Sequence, residues 1–309
     1  MPESTCRVGD LEIAYETFGD PADPALLLVM GLATQMIAWH DEFCAALAAR
    51  GFHVIRFDNR DVGRSTALRH LPVPTLRQLV LRSRKAAGYT LADMAGDAVG
   101  LLDGLGIDRA HVAGASMGGM IAQTIAIEHP DRVLSLASIM SNTGARRSGQ
   151  PQLATYRVLV GRPPQERDAF VEHVLRVYAV IGSPGFDRDE PDLRRMAGLS
   201  YDRGRNPAGS GRQLAAIIAS GNRTRRLQAL AVPTVVIHGT ADRLVNPTGG
   251  RATARAIPGA RLVEIEGMGH DLPRGTWPRI VEAIADNAAR ADPIVASGPL
   301  TRMEATTGG

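Results

Sequence analysis

The chain has 309 residues, of which 44% are hydrophobic and 22% charged, with a formal net charge of +3. At this length folding can bury about 75% of the unfolded chain's surface, so a large core and a closed pocket are expected, and a disordered or fibrous architecture is not. The pI near 9.2 comes from arginine, since Lys85 is the only lysine, and the small net charge gives no reason to expect nucleic-acid binding. The start, MPESTCRVGD, lacks the basic stretch and apolar run of a secretion signal, and no segment approaches the roughly 18 apolar residues of a bilayer span. Cys6 and Cys44 have neither metal-type nor redox spacing, so two separate reduced thiols and a cytoplasmic location are expected.

The first element is CRVGDLEIAYETFG, where a turn at Gly9-Asp10 separates two partly alternating runs and predicts an antiparallel hairpin at a sheet edge. Short, continuous apolar runs follow: LLLVM at 26–30, HVIRF at 53–57, HVAGA at 111–115, VLSLASIM at 133–140, TVVIH at 234–238 and RLVEIE at 261–266. Runs of this kind suit parallel strands buried on both faces. Between them, DEFCAALAAR, TLADMAGDAVGLLDGLG and MIAQTIAIEHP have helical spacing. The alternation predicts an α/β fold with a doubly wound, mostly parallel sheet.

The rhythm breaks over 143–228, where AFVEHVLRVYAVI and RQLAAIIASG are helical patterns linked by Gly, Pro and charge-rich turns. This stretch reads as an inserted helical cap, dividing the core into 1–142 and 229–292; residues 293–309 read as a flexible tail. The cap holds 15 Arg against 8 Asp and Glu. A solvated surface with arginines paired to carboxylates is the simpler reading, and a funnel for acidic substrates the alternative.

Residues 114–118 read Gly-Ala-Ser-Met-Gly, directly after a strand pattern and directly before a helical one. A sharp strand-to-helix turn of this kind forces its central residue into a strained backbone conformation, relieved by small neighbours at Gly114 and Gly118, and leaves Ser116 projecting at a helix N-terminus. A serine hydroxyl needs a base, and the base needs a partner that fixes its tautomer. Asp242 lies in the loop after TVVIH, and His270 lies in GMGHDLP after RLVEIE, in the order Ser, Asp, His. His53, His111 and His238 fall in or beside core strands and read as structural. The backbone N–H groups of Met117 and Leu32 are the expected oxyanion donors. The charged turn FDNRDVGRST, with Asp58, Arg60, Gly63 and Ser65, reads as a brace for the active-site loops.

Taken together, residues 10–290 resemble the α/β-hydrolase family. More narrowly, PADPALLLVMG, WHDEF, HVIRFDNRDVGRST, the SMG elbow and GMGH resemble the aclacinomycin methylesterase group, carboxylic-ester hydrolases that act on an anthracycline polyketide. The resemblance implies a triad of Ser116, Asp242 and His270, with Leu32 and Met117 as oxyanion donors. Met30-Gly31 stands where the superfamily commonly has His-Gly, and Arg60-Asp61 where it has Arg-Gly; the methylesterase-like group shares both changes. The cap, where substrate choice in this fold is made, carries no recognised anthracycline-site pattern, so activity on that drug is not inferred.

The expected function is hydrolysis of a small to medium, mostly apolar carboxylic ester through an acyl-enzyme on Ser116, without metal or organic cofactor. Met30, Trp39 and Met268 flank the predicted centre as pocket residues. Thioesterase, lactonase, carbon–carbon hydrolase and acyltransferase chemistry stay open, since all can use the same triad. A ligand receptor that keeps the triad is the non-enzymatic alternative, distinguished by ligand retention without turnover.

Overall fold

A computed structural model of the protein describes residues 3–152, 155 and 163–291. The strands are β1 (Ser4–Val8), β2 (Leu11–Phe18), β3 (Ala25–Val29), β4 (His53–Phe57), β5 (Ala110–Ala115), β6 (Val133–Ile139), β7 (Thr234–Gly239) and β8 (Arg261–Ile265). They form one sheet in the order β1-β2-β4-β3-β5-β6-β7-β8. The first two strands form the expected hairpin, β2 runs antiparallel to β4, and every other pairing is parallel. Each of the apolar runs forms a strand within one or two residues of its expected bounds.

The helices are α1 (Asp41–Ala48), α2 (Leu76–Val80), α3 (Leu91–Gly104), α4 (Met117–Glu128), α5 (Arg167–Ile181), α6 (Glu190–Asp202), α7 (Pro207–Ser220), α8 (Thr224–Leu227), α9 (Thr248–Ala256) and α10 (Trp277–Ala288). Successive strand residues face opposite sides of a sheet, and β3 uses both. Leu27 and Val29 pack with Leu91 and Leu101 of α3 and with Ile121 and Ile125 of α4. Leu26 and Leu28 pack with Phe43 and Leu47 of α1 and with Ile280 and Ile284 of α10. All five β3 residues are buried, which is why the strand is apolar throughout rather than alternating.

Between β6 and β7 the described residues hold helices α5 to α8 and no strand. Val171 and Leu175 of α5 pack against Ala197 of α6, while Ala216 of α7 and Leu227 of α8 join the main core. Arginines of the insertion pair with its own carboxylates: Arg167 with Asp202 at 2.8 Å, Arg194 with Glu172 at 2.5 Å and Arg195 with Asp192 at 2.6 Å. These pairs are largely solvent-exposed, so each contributes about 0–1 kcal/mol. The expected tail, 293–309, lies outside the described residues. None of the described helices is long and apolar enough to cross a membrane.

Candidate active site

Strand β5 ends at Ala115 and α4 begins at Met117, so a single residue makes the turn between them. That residue, Ser116, sits at φ 57° and ψ −119°, a conformation costing of the order of 1–3 kcal/mol for a residue with a side chain. The surroundings hold it there. Its N–H donates to Ile139 O at 2.9 Å, and its carbonyl accepts from Gly119 N at 3.0 Å. A Cβ on Gly114 would stand 2.1 Å from Gly118 O, and one on Gly118 would stand 2.0 Å from Val29 O. Both flanking glycines are therefore required by contact, because the elbow presses the start of α4 against β3 and β5.

The loops after β7 and β8 meet this serine. His270 Nε2 lies 3.0 Å from Ser116 Oγ, and His270 Nδ1 lies 2.7 Å from Asp242 Oδ2. Asp242 is 1% exposed and His270 is 8% exposed. The Leu244 and Val245 N–H groups donate to Asp242 Oδ1 at 2.9 and 2.8 Å. Burial pushes the Asp242 carboxyl up, but the neighbouring imidazoles of His270 and His238 outweigh it and hold the group well below the usual carboxylate range. An ionised Oδ2 accepts the proton on Nδ1, which leaves Nε2 free to take one from the Ser116 hydroxyl.

His238, which reads from the sequence as a core-strand residue, belongs to this arrangement. Its Nε2 lies 2.8 Å from Val245 O and 3.3 Å from Asp242 Oδ2. A carbonyl only accepts, so Nε2 carries the proton and presents it to the Asp242 loop. The end of α5 holds the His270 loop in turn. His270 N–H donates to Ile181 O at 2.7 Å, Gly269 N–H donates to Ser183 Oγ at 2.7 Å, and the Ser183 hydroxyl donates to Asp271. No local sequence signal marks Ile181 or Ser183, because their partners are more than 80 residues away.

The loop of the expected oxyanion donors runs beside Ser116. A Cβ on Gly31 would lie 3.1 Å from Ser116 Cβ and 3.6 Å from its Oγ, so Gly31 sits directly beside Ser116. Met117 is the first residue of α4. Asp58 Oδ1 accepts from Met36 N–H at 2.7 Å, and Asn59 Nδ2 donates to Met30 O at 3.0 Å. Arg60 forms a two-point contact with Asp97 at 2.5 and 2.6 Å. The FDNRDVGRST turn thus braces the loop. A further brace comes from α7: Gln213 Oε1 accepts from Ala33 N–H at 2.8 Å while its Nε2 donates to Arg60 O at 2.9 Å.

Two of the three expected pocket residues, Trp39 and Met268, are placed otherwise. Trp39 and Met268 retain no exposed surface and pack in the core between the sheet, α1 and α10, with Trp39 stacked on Phe43 at 5.4 Å between ring centroids. A side chain lining a water-sized cavity would keep accessible surface, so neither contributes to one in this conformation. Met30, 6% exposed, belongs to the same core, and Leu32 is half-buried.

Comparison with known proteins adds three findings. Residues 24–273 match a family model described as the alpha/beta hydrolase fold. Rhodomycin D methylesterase from Streptomyces peucetius is 27% identical over 94% of this chain and 99% of its own, and 3-oxoadipate enol-lactonase 2 from Acinetobacter baylyi is 26% identical over 85% and 88%. Among solved structures, an enol-lactonase from Burkholderia xenovorans superimposes with a TM-score of 0.72 at 26% identity, covering 92% of this chain and 99% of that one. With the family model spanning most of the chain and the eight-stranded, mostly parallel sheet in place, the protein belongs to the α/β-hydrolase fold family.

Proposed function

We propose that the protein is a serine hydrolase that cleaves a small to medium, mostly apolar carboxylic ester, with Ser116 as nucleophile, His270 as general base and acid, and Asp242 as its orienting carboxylate. The observation that carries this reading is the unbroken hydrogen-bond chain from Asp242 Oδ2 through both ring nitrogens of His270 to Ser116 Oγ, at 2.7 and 3.0 Å. His270 Nε2 takes the Ser116 proton as Oγ attacks the ester carbonyl, and the resulting imidazolium gives that proton to the departing alcohol. Water then repeats the sequence on the acyl-enzyme. The developing oxyanion is met by the N–H groups of Leu32 and Met117, with the positive end of α4 behind them.

Relatives named for a methylester and for a lactone support cleavage of an acyl–oxygen bond. Residues 143–228 act as a cap in this reading, supported by the bonds from Ile181 and Ser183 to the His270 loop and from Gln213 to the oxyanion loop. A cytoplasmic location is supported by Cys6 and Cys44, which are free thiols of the kind a reducing compartment maintains.

The test is hydrolysis of p-nitrophenyl esters from acetate to palmitate by the purified protein and by Ser116→Ala. The variant is expected to lose roughly 10⁴- to 10⁶-fold in kcat, with the chain-length profile of the wild type sizing the acyl pocket. Equal turnover by both proteins would reject Ser116 as nucleophile, and retention of an ester without turnover would favour a receptor.

A further inference from the structure

The segment joining β4 to α3 differs in composition from the rest of the chain. Residues 62–92 contain Arg64, Arg69, Arg77, Arg82, Arg84 and Lys85 and no Asp or Glu, whereas the whole chain balances 35 Lys and Arg against 32 Asp and Glu. Among the described residues Arg64 pairs with Glu3, and the other five cations form no ion pair. The same segment exposes aliphatic surface. Of the six large hydrophobic side chains exposed among the described residues, four lie here within nine positions: Val73 at 53%, Leu76 at 65%, Val80 at 71% and Leu81 at 67%.

This exposure is built into the segment. Thr75 caps α2 in a reciprocal pair with Gln78, and Leu76 and Val80, four residues apart, share one helical face. Pro74, Ala86 and Tyr89 are buried, and Val73 and Pro74 lie against Gly211 of α7. The segment is thus moored by some residues while the aliphatic ones face outward. Exposed aliphatic side chains gathered within nine positions and interspersed with cations mark a binding surface rather than chance exposure.

We propose that residues 73–85 dock the protein on an anionic lipid surface, with Val73, Leu76, Val80 and Leu81 entering the headgroup–acyl boundary and Arg77, Arg82, Arg84 and Lys85 meeting the headgroups. The two kinds of side chain are those an interfacial element needs together. A second copy of the chain is disfavoured as the occupant, since two such faces would bring unpaired cations together. The apolar set is also wholly aliphatic, without the aromatic anchors that dominate protein interfaces. The segment leaves β4 at the same end of the parallel strands from which the Ser116, Asp242 and His270 loops emerge. Docking there turns that end of the molecule toward the bilayer, where an apolar ester would be dissolved. The surface itself does not depend on the ester reading, since binding is measured on the protein without substrate.

The test is flotation of the full chain with vesicles of phosphatidylcholine alone or mixed equally with phosphatidylglycerol. The protein is expected to float with the anionic vesicles only and to be released by high salt. Leu76→Asp combined with Leu81→Asp should abolish flotation, and Arg77→Gln, Arg82→Gln and Arg84→Gln should each weaken it about fivefold, all with unchanged melting temperature and unchanged hydrolysis of p-nitrophenyl acetate in solution. Three outcomes would overturn the proposal. These are a wild type that stays with the buffer, variants that float as well as the wild type, or light scattering that finds a dimer dispersed by Leu81→Asp. Binding to soluble polyglutamate that requires Leu76 and Leu81 would reassign the surface to an acidic protein.

Discussion

Two carboxylates lie next to His270 in space or sequence, and their surroundings drive them in opposite directions. Asp242 is buried, yet two imidazoles and two backbone N–H groups keep it ionised. Asp271 has fewer donors, and burial pushes its carboxyl up despite the bond from Ser183. A carboxyl whose folded pKa is raised is penalised once it ionises, so its cost is absent below the ordinary Asp value of about 4 and grows as pH rises through the folded value. Asp271→Asn retains the acceptor for Ser183 and has no proton to lose. Its melting temperature is expected to match that of the wild type near pH 3 and to exceed it increasingly as pH rises, then to level off. Parallel curves for the two proteins would show that Asp271 ionises in the fold as easily as in water.

Two elements of the inserted stretch each hold a different half of the site. The end of α5 fixes the His270 loop through Ile181 and Ser183, and α7 fixes the Gly31–Ala33 loop, proposed to hold the oxyanion, through Gln213. Gln213 is fully buried, and Ala33, whose N–H it accepts, sits at φ 56°. Gln213→Leu fills the same space but leaves the Ala33 N–H and the Arg60 carbonyl without their partner, a loss of about 1–3 kcal/mol in stability. The loosened loop is expected to lower kcat about 10- to 10²-fold with little change in KM, because a displaced oxyanion donor is felt in the transition state more than in ground-state binding. Steady-state kinetics on a p-nitrophenyl ester measure both. A variant with wild-type kcat would mean that Asp58 and Asn59 hold the loop unaided.

At the scale of the molecule, the most deeply buried ion pair between the described parts of the insertion and the core joins Arg212 to Asp61. Arg212 and Asp61 have side chains 2% and 0% exposed and make a two-point contact at 2.8 and 2.6 Å. Tyr89 Oη, Leu68 N and Asn206 Nδ2 complete the shell of Asp61 at 2.9, 2.8 and 3.0 Å. Burial pushes the Asp61 carboxyl up, and these donors, with the Arg212 guanidinium, bring it below its ordinary value. Arg212→Met leaves a buried carboxylate without its counter-charge and is expected to cost about 3–5 kcal/mol, read as a lower urea midpoint at neutral pH. A midpoint within error of the wild type would mean that α7 is not bound to the core through this pair.

The strands and the sharp turn at Ser116 were legible in the sequence because their causes are local. A strand buried on both faces is apolar throughout, as β3 is, and the turn at Ser116 tolerates only glycine where Gly114 and Gly118 stand. Asp242 and His270 could be picked out because each follows a recognisable strand. Other features depend on partners far along the chain. Gln213 meets Ala33 across 180 residues, and nothing in RQLAAIIASG sets it apart from a solvated glutamine. His238 in TVVIH looks the same whether it merely fills the core or also faces Asp242. Trp39 and Met268 stand beside the site in sequence, but packing put them into the core, since neighbouring side chains already occupy the space around them. Nothing in LRQLVLRSRK marks which of its leucines are exposed, and the tertiary structure leaves Leu76 and Leu81 65% and 67% exposed while Leu79 is half-buried. What the sequence by itself determined is therefore what a few neighbouring residues enforce, and the tertiary structure decided which distant groups share a space.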